Sequence, residues 1–158
     1  MTNPLFSLEG RTALITGSSR GLGLAIAKGL AEAGARVVLN GVDGARLEAS
    51  AEALRARGHS VSAEAFDVTD EAAVNAAFSR LDAAGVTIDI LVNNAGIQLR
   101  KPLVEFGAEE WRRVIDTNLT SAFFVGREAA KRMIPRGRGK IVNIGSLMSA
   151  FARPTVAP

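Results

Sequence analysis

The chain has 158 residues, 47% of them apolar and 22% charged, with a formal net charge of +3 and no cysteine. That balance fits one soluble domain with a real core, and the lack of thiols excludes a disulfide framework and a thiolate metal site. No apolar run nears the roughly 20 residues of a membrane span, and the segment from Met1 to Gly10 lacks the basic and apolar regions of a secretory signal, so a cytoplasmic protein with no membrane contact is expected.

The first predicted strand is the apolar run Ala13-Leu14-Ile15, which stops at Thr16. Gly17, Gly21 and Gly23 follow in a G-x-x-x-G-x-G spacing, and a helical pattern begins at once. Strand, tight glycine turn and helix form a phosphate-binding unit, because the new helix presents free N–H groups and its positive dipole end to an anion. The helix spans Gly21 to Ala33, with Leu22, Ile26 and Leu30 as the stripe expected to face a sheet and Gly34 as its stop. Arg36 to Asn40 reads as a second strand. Asp43 then caps a helix from Gly44 to Arg57 whose Leu47, Ala51 and Leu54 face one way.

Ser60 to Phe66 reads as a third strand ending at Asp67-Val68-Thr69, with Thr69 as the expected cap of a helix carrying Val74, Ala77, Phe78 and Leu81. Ile88 to Val92 is a fourth strand that runs into Asn93-Asn94-Ala95-Gly96. After a loop from Ile97 to Gly107 comes one long helical pattern, Ala108 to Met133, with Ile115, Leu119, Ala122, Gly126, Ala130 and Met133 on its expected buried side. Ile141 to Ile144 is the fifth strand. Arg127, Lys131, Arg132, Arg136, Arg138 and Lys140 cluster near the end of the long helix, where cations complement the helix dipole, so no nucleic-acid surface is inferred. Lone His59, in a polar turn, has no second His or Cys to complete a metal site, and no metal is expected.

Strands alternating with helices imply parallel βαβ units, hence a doubly wound, Rossmann-type parallel α/β sheet of about five strands in a single domain, 1–158. In such a sheet ligands bind beyond the carboxyl ends of the strands. Those ends carry the glycine turn, Asn40-Gly41-Val42, Asp67-Val68, Asn93 to Gly96, and Gly145-Ser146, small or hydrogen-bonding residues in every case. Their joint placement points to a dinucleotide.

Thr16-Gly17-x-x-x-Gly21-x-Gly23, Asn93-Asn94-Ala95-Gly96, Asn118 within Asp116-Thr117-Asn118-Leu119, and Ser146 after Ile144-Gly145 resemble the short-chain dehydrogenases/reductases, from Phe6 onward. The segments Val38 to Gly41 and Ile144 to Ser149 are most similar to the gluconate 5-dehydrogenase and 5-ketogluconate reductase group. The resemblance implies hydride transfer between a nicotinamide cofactor and a secondary alcohol or ketone, of polyol or sugar-acid type, and a homo-oligomer for the full-length enzyme. It implies that Gly17, Ser19, Arg20, Gly21, Leu22 and Gly23 line the cofactor phosphates. Asp67 and Val68 would meet the adenine, and Asn94 to Gly96 would pass under its ribose. Asn118 would sit at a distortion in the long helix and position a water, and Ser146 would bond the substrate oxygen. Read from the residues alone, Asn118 is equally an exposed helical residue, Ser146 a turn former, and Asp67 part of a cap.

The cofactor is partly legible. A carboxylate at the end of the second strand would accept the ribose hydroxyls of NAD and repel a 2′-phosphate. Gly41 stands at that position and Arg20 can pair with a phosphate, so NADP is favoured over NAD, although Val42 offers no base. The resemblance also implies a Tyr-x-x-x-Lys proton-transfer pair about a dozen residues after the serine. The chain contains no tyrosine, so it is expected to be the N-terminal portion of the fold, to leave its fifth strand as an open edge, and to bind cofactor better than it turns over substrate. A non-catalytic nucleotide-binding module is the alternative.

Overall fold

The computed structural model describes residues 4–149, 151 and 155. Five strands form one parallel sheet: β1 (Thr12–Ile15), β2 (Arg36–Gly41), β3 (Val61–Ala65), β4 (Ile90–Asn93) and β5 (Lys140–Asn143), in the spatial order β3-β2-β1-β4-β5. The chain winds outward from β1 to β3, then returns to the other side of β1 for β4. The strand order therefore reverses between β1 and β4, where Ile15 lies level with both Leu39 and Val92.

Successive strand residues point to opposite faces, so the central strands feed two cores. Leu14, Val38 and Leu91 pack with Val74, Phe78 and Leu81 of α3 (Glu71–Ala83) and with Val125, Ala129 and Met133 of α5 (Ser121–Met133). Ala13, Ile15, Val37, Leu39 and Val92 pack with Ala27 and Ala31 of α1 (Gly21–Glu32) and Leu47, Ala51 and Leu54 of α2 (Gly44–Arg55). The doubly wound sheet and the buried faces of α2 and α3 are as the sequence predicts. Among the described residues, no helix is long and apolar enough to cross a membrane.

Three helical details differ. The buried stripe of α1 is Gly23, Ala27 and Ala31, whereas Leu22 is exposed and Ile26 and Leu30 are half-buried. Small residues occupy the contact line because they let the helix axis approach the sheet, and the larger side chains flank it. The cap of α3 is Asp70, whose carboxylate accepts from the N–H groups of Ala72 and Ala73. Thr69 lies one residue before the cap and donates both its hydroxyl and its N–H to Asp67 Oδ1.

The long helix is interrupted. α4 (Ala108–Ile115) passes through a π-helical turn, Asp116–Thr120, before α5. Val114, Ser121, Val125 and Ala129 are buried, each one residue ahead of the expected Ile115, Ala122, Gly126 and Ala130, and Leu119 is 65% exposed, while Met133 is buried as expected. The basic residues at the end of α5 also do more than face a helix dipole. Arg127 pairs with Glu71, Arg132 with Asp82 and Glu128, Lys131 with Glu128, and Arg136 and Arg138 with Asp89. The pairs with Glu71 and Asp82 fasten α5 to α3, those with Glu128 lie within α5, and those with Asp89 hold the segment after α5 against the start of β4.

Candidate functional site

The glycine turn sits at the reversal of strand order. Gly17 and Gly21 both have positive φ, +62° and +59°, which L-side chains adopt at a cost. Arg20, the residue before α1, is extended and makes no side-chain cap. Among the described residues, no hydrogen bond takes up the N–H groups of Ser19 to Gly23. This row of open donors at a helix N-terminus is suited to an anion. Gly23 is needed for space: a Cβ there would overlap Gly17 O and Asn94 Nδ2 and come within 2.9 Å of Ser18 Cα. Gly21 faces open space, so its requirement is conformational.

Buried polar side chains hold the turn from beneath. Thr16 is 2% exposed, and its Oγ1 accepts the N–H groups of Asn94 (2.9 Å) and Ala95 (3.0 Å). Asn94 Nδ2 donates to the carbonyls of Thr16 and Gly17. The Asn94 side chain thus braces the turn instead of reaching outward. Asn40, at the end of β2 and 1% exposed, accepts the Gly17 N–H at 3.2 Å and donates to the carbonyls of Glu64 and Phe66. The Ser18 hydroxyl donates to Ile15 O and accepts the Asn40 N–H. Thr16, Ser18 and Asn40 were not among the residues assigned to the site from sequence. For Thr16 and Asn40 the signal was a polar side chain at the end of an otherwise apolar buried strand, which has to be satisfied internally, whereas Ser18 lies in the turn beyond β1.

Above this floor lies a cleft of about 980 Å³. Gly17, Ser19, Arg20, Gly21, Leu22, Gly23, Asp67, Val68, Asn94 and Gly96 all line it, so the residues assigned to the dinucleotide from sequence come together in one place. The far wall is the start of α4 and the π turn, through Glu109, Arg112, Arg113, Asp116 and Thr117, which the sequence did not mark. At the β2 end, Gly41 presents no carboxylate, and a Cβ there would touch Ser19 at 3.4 Å. Asp43, the acid closest in sequence to Gly41, caps α2 through the Arg46 N–H and pairs with the Arg46 guanidinium at 2.9 Å. Arg20 is exposed on the rim and has no ion pair among the described residues. Asp67 is exposed at the opposite rim, one carboxylate oxygen held by Thr69 and the other open.

Asn118 and Ser146 do not line this cleft. Asn118 lies in the π turn, where the helix distortion was expected; its Oδ1 accepts the Ile97 N–H at 2.8 Å and its Nδ2 donates to Ile97 O at 2.9 Å. It pins the segment just after Gly96, and keeps one N–H and one lone pair for a further partner. Ser146 is exposed beyond β5, its Oγ accepting the Met148 N–H at 3.1 Å. Buried Asn93 links these two regions, donating to Ala122 O in α5 and to Asn143 Oδ1 in β5. Further along the loop, the Lys101 ammonium and then the Gly107 N–H hold the Glu110 carboxyl below its usual range.

Known proteins share this arrangement. The family model for short chain dehydrogenase matches residues 11–158. Gluconate 5-dehydrogenase of Gluconobacter oxydans (strain 621H) is 51% identical over 159 residues, covering 100% of this chain and 62% of that protein. 5-keto-D-gluconate 5-reductase of Escherichia coli (strain K12) is 40% identical, covering 99% of this chain and 61% of that protein. A crystal structure of a gluconate 5-dehydrogenase from Burkholderia cenocepacia J2315, in complex with NADP and tartrate, superposes with a TM-score of 0.93 at 47% identity, covering 96% of this chain and 60% of that one. The chain therefore spans about three fifths of the length of these relatives.

Proposed function

The chain belongs to the short chain dehydrogenase family, and on that premise we propose that it forms the dinucleotide-binding part of an NADP-dependent oxidoreductase acting on a secondary alcohol or ketone of sugar-acid type, gluconate and 5-ketogluconate being the reference pair. The observation that carries this reading is the cleft at the strand reversal, floored by open N–H groups and lined by all the residues assigned to a dinucleotide. The relatives' names supply the substrate class, and the neighbour solved with NADP supports the cofactor.

A nicotinamide dinucleotide, when bound, supplies hydride donation and acceptance. The protein's own residues do the rest. The N–H groups of Ser19 to Gly23 hold phosphate, Arg20 offers a cation to a 2′-phosphate, and the side-chain-free Gly41 leaves room where a carboxylate would repel it. The open Asp67 oxygen and Val68 meet the adenine, while Gly96 lets a ribose approach. Asn118, fixed on Ile97, holds a water with its remaining N–H, and Ser146 bonds the substrate oxygen. No tyrosine is present to exchange the substrate proton, so binding without turnover is the expected behaviour of these 158 residues. The same reading places the protein in the cytoplasm, and places the complete enzyme in a homo-oligomer.

The test is a titration of the verified 158-residue chain with NADPH and NADH, followed by Trp111 quenching, with 5-ketogluconate then added. Saturable binding, tighter for NADPH, and no ketone reduction are expected. Tighter NADH binding overturns the cofactor preference, absence of both overturns the dinucleotide site, and turnover overturns the claim of inactivity. A purely non-catalytic nucleotide-binding module is the second reading. Supplying the downstream portion of a relative in a chimera separates the two, since only a catalytic ancestry yields reduction.

A further inference from the structure

We propose that Asn40 is the positioning residue of the dinucleotide site, locking three strand ends together and dividing the glycine turn into a structural part and an anion-binding part. The inference rests on the dinucleotide reading above and extends it to a residue outside the glycine motif.

Asn40 ends β2, the strand between β1 and β3. Its side chain reaches both neighbours. On the β1 side Oδ1 accepts the Gly17 N–H at 3.2 Å, and on the β3 side Nδ2 donates to Glu64 O at 3.3 Å and Phe66 O at 3.0 Å. The backbone is committed as well: its N–H goes to Ser18 Oγ at 2.9 Å, and its carbonyl accepts the Ser18 N–H at 2.8 Å. At 1% exposure, these bonds form where an unmade one costs most.

Two consequences follow. The N–H groups of Gly17 and Ser18 are consumed by Asn40, so the donors left for phosphate begin at Ser19. The Phe66 carbonyl is also fixed, one residue before Asp67, on the opposite rim of the cleft from the glycine turn. One amide side chain thereby sets the distance between the phosphate donors and the Asp67-Val68 shelf. No other residue type of this size offers an acceptor and two donors in one plane. Aspartate would set a carboxylate oxygen against the Glu64 and Phe66 carbonyls, and alanine would strand all three partners.

The experiment pairs affinity with amide exchange, using 2′,5′-ADP as the probe. In the wild-type chain the Gly17 amide is expected to exchange at least 100-fold more slowly than the Arg20 amide, although both lie in a turn. Asn40→Ala should remove that protection and weaken 2′,5′-ADP binding at least tenfold, measured well below the melting temperature. Leu54→Ala, a core truncation in α2 remote from the cleft, should lower the melting temperature and leave affinity within twofold. Equal affinity losses in the two variants reduce Asn40 to a stability residue and overturn the proposal. Unprotected Gly17 in the wild type overturns it without any variant, so a failure of Asn40→Ala to fold leaves it decidable. If the wild type binds no 2′,5′-ADP while Gly17 is protected, the dinucleotide reading fails and Asn40 is left as a brace of the turn, which also overturns the positioning role.

Discussion

Gly21 and Gly23 are two residues apart and are glycine for different reasons, which a pair of substitutions separates. A methyl at Gly23 has nowhere to go, meeting the backbone of Gly17 and Ser18 and the Asn94 amide that braces the turn. Gly23→Ala is expected to cost about 1–3 kcal/mol, as overpacking does, and to abolish NADPH binding because the turn has to open. A methyl at Gly21 meets nothing, and its cost is the left-handed backbone, about 1–2 kcal/mol. Gly21→Ala should therefore keep measurable binding. Urea midpoints and fluorescence titrations on both variants check this, and equal binding losses would contradict it.

Elements in this fold are tied by side chains as much as by packing. The π turn between α4 and α5 carries Asn118, whose amide bonds the Ile97 backbone. Asn118→Ala is expected to free the segment from 97 to 107, raising its hydrogen exchange at least tenfold, while α5 stays protected by its core contacts. Within α5, Glu128 gathers Arg127, Lys131 and Arg132, the last of which reaches Asp82 of α3. Burial pushes the Glu128 carboxyl up, but hydrogen bonds from Lys131 and Arg132, with their charges, outweigh this and hold it below the ordinary range. A lowered folded pKa means the contribution is fully present above the unfolded value, about 4.3, and is lost as pH falls through the folded value. Urea melts between pH 7 and pH 3 should show the wild type losing stability in the acid range. Glu128→Gln should start lower, by about 1–3 kcal/mol, and lose less there.

At the scale of the molecule, the β5 edge of the sheet is uncovered among the described residues. All of β5 is exposed, with Ile141 at 41% and Val142 at 46%, and no strand pairs its outer edge among the described residues. Leu119 and Phe123 form further exposed apolar surface on the α4–α5 side. An apolar unpaired edge is a template for another strand. The 158-residue chain is expected to bind a hydrophobic dye and to scatter more light as concentration rises. Val142→Lys should suppress the scattering and shift stability by no more than about 0.5 kcal/mol. Scattering unchanged by this substitution would place the contact elsewhere.

The sequence by itself determined the alternation of strands and helices, the parallel sheet, the glycine turn, and the strand-end residues that line the cleft. Each follows from local periodicity and from the rule that ligands sit beyond strand ends, so neighbouring residues suffice. Only the tertiary structure decided which face of α1 and α5 is buried, because the first depends on how closely a helix approaches the sheet and the second on which residues meet the sheet and α3. The same holds for Asp70 displacing Thr69 as a cap and for Asn118 spending its amide on Ile97. Asn40 is the clearest case. Its type and place were plain in the sequence, but its side-chain hydrogen bonds reach 23 to 26 residues along the chain, to groups that only the sheet brings within reach.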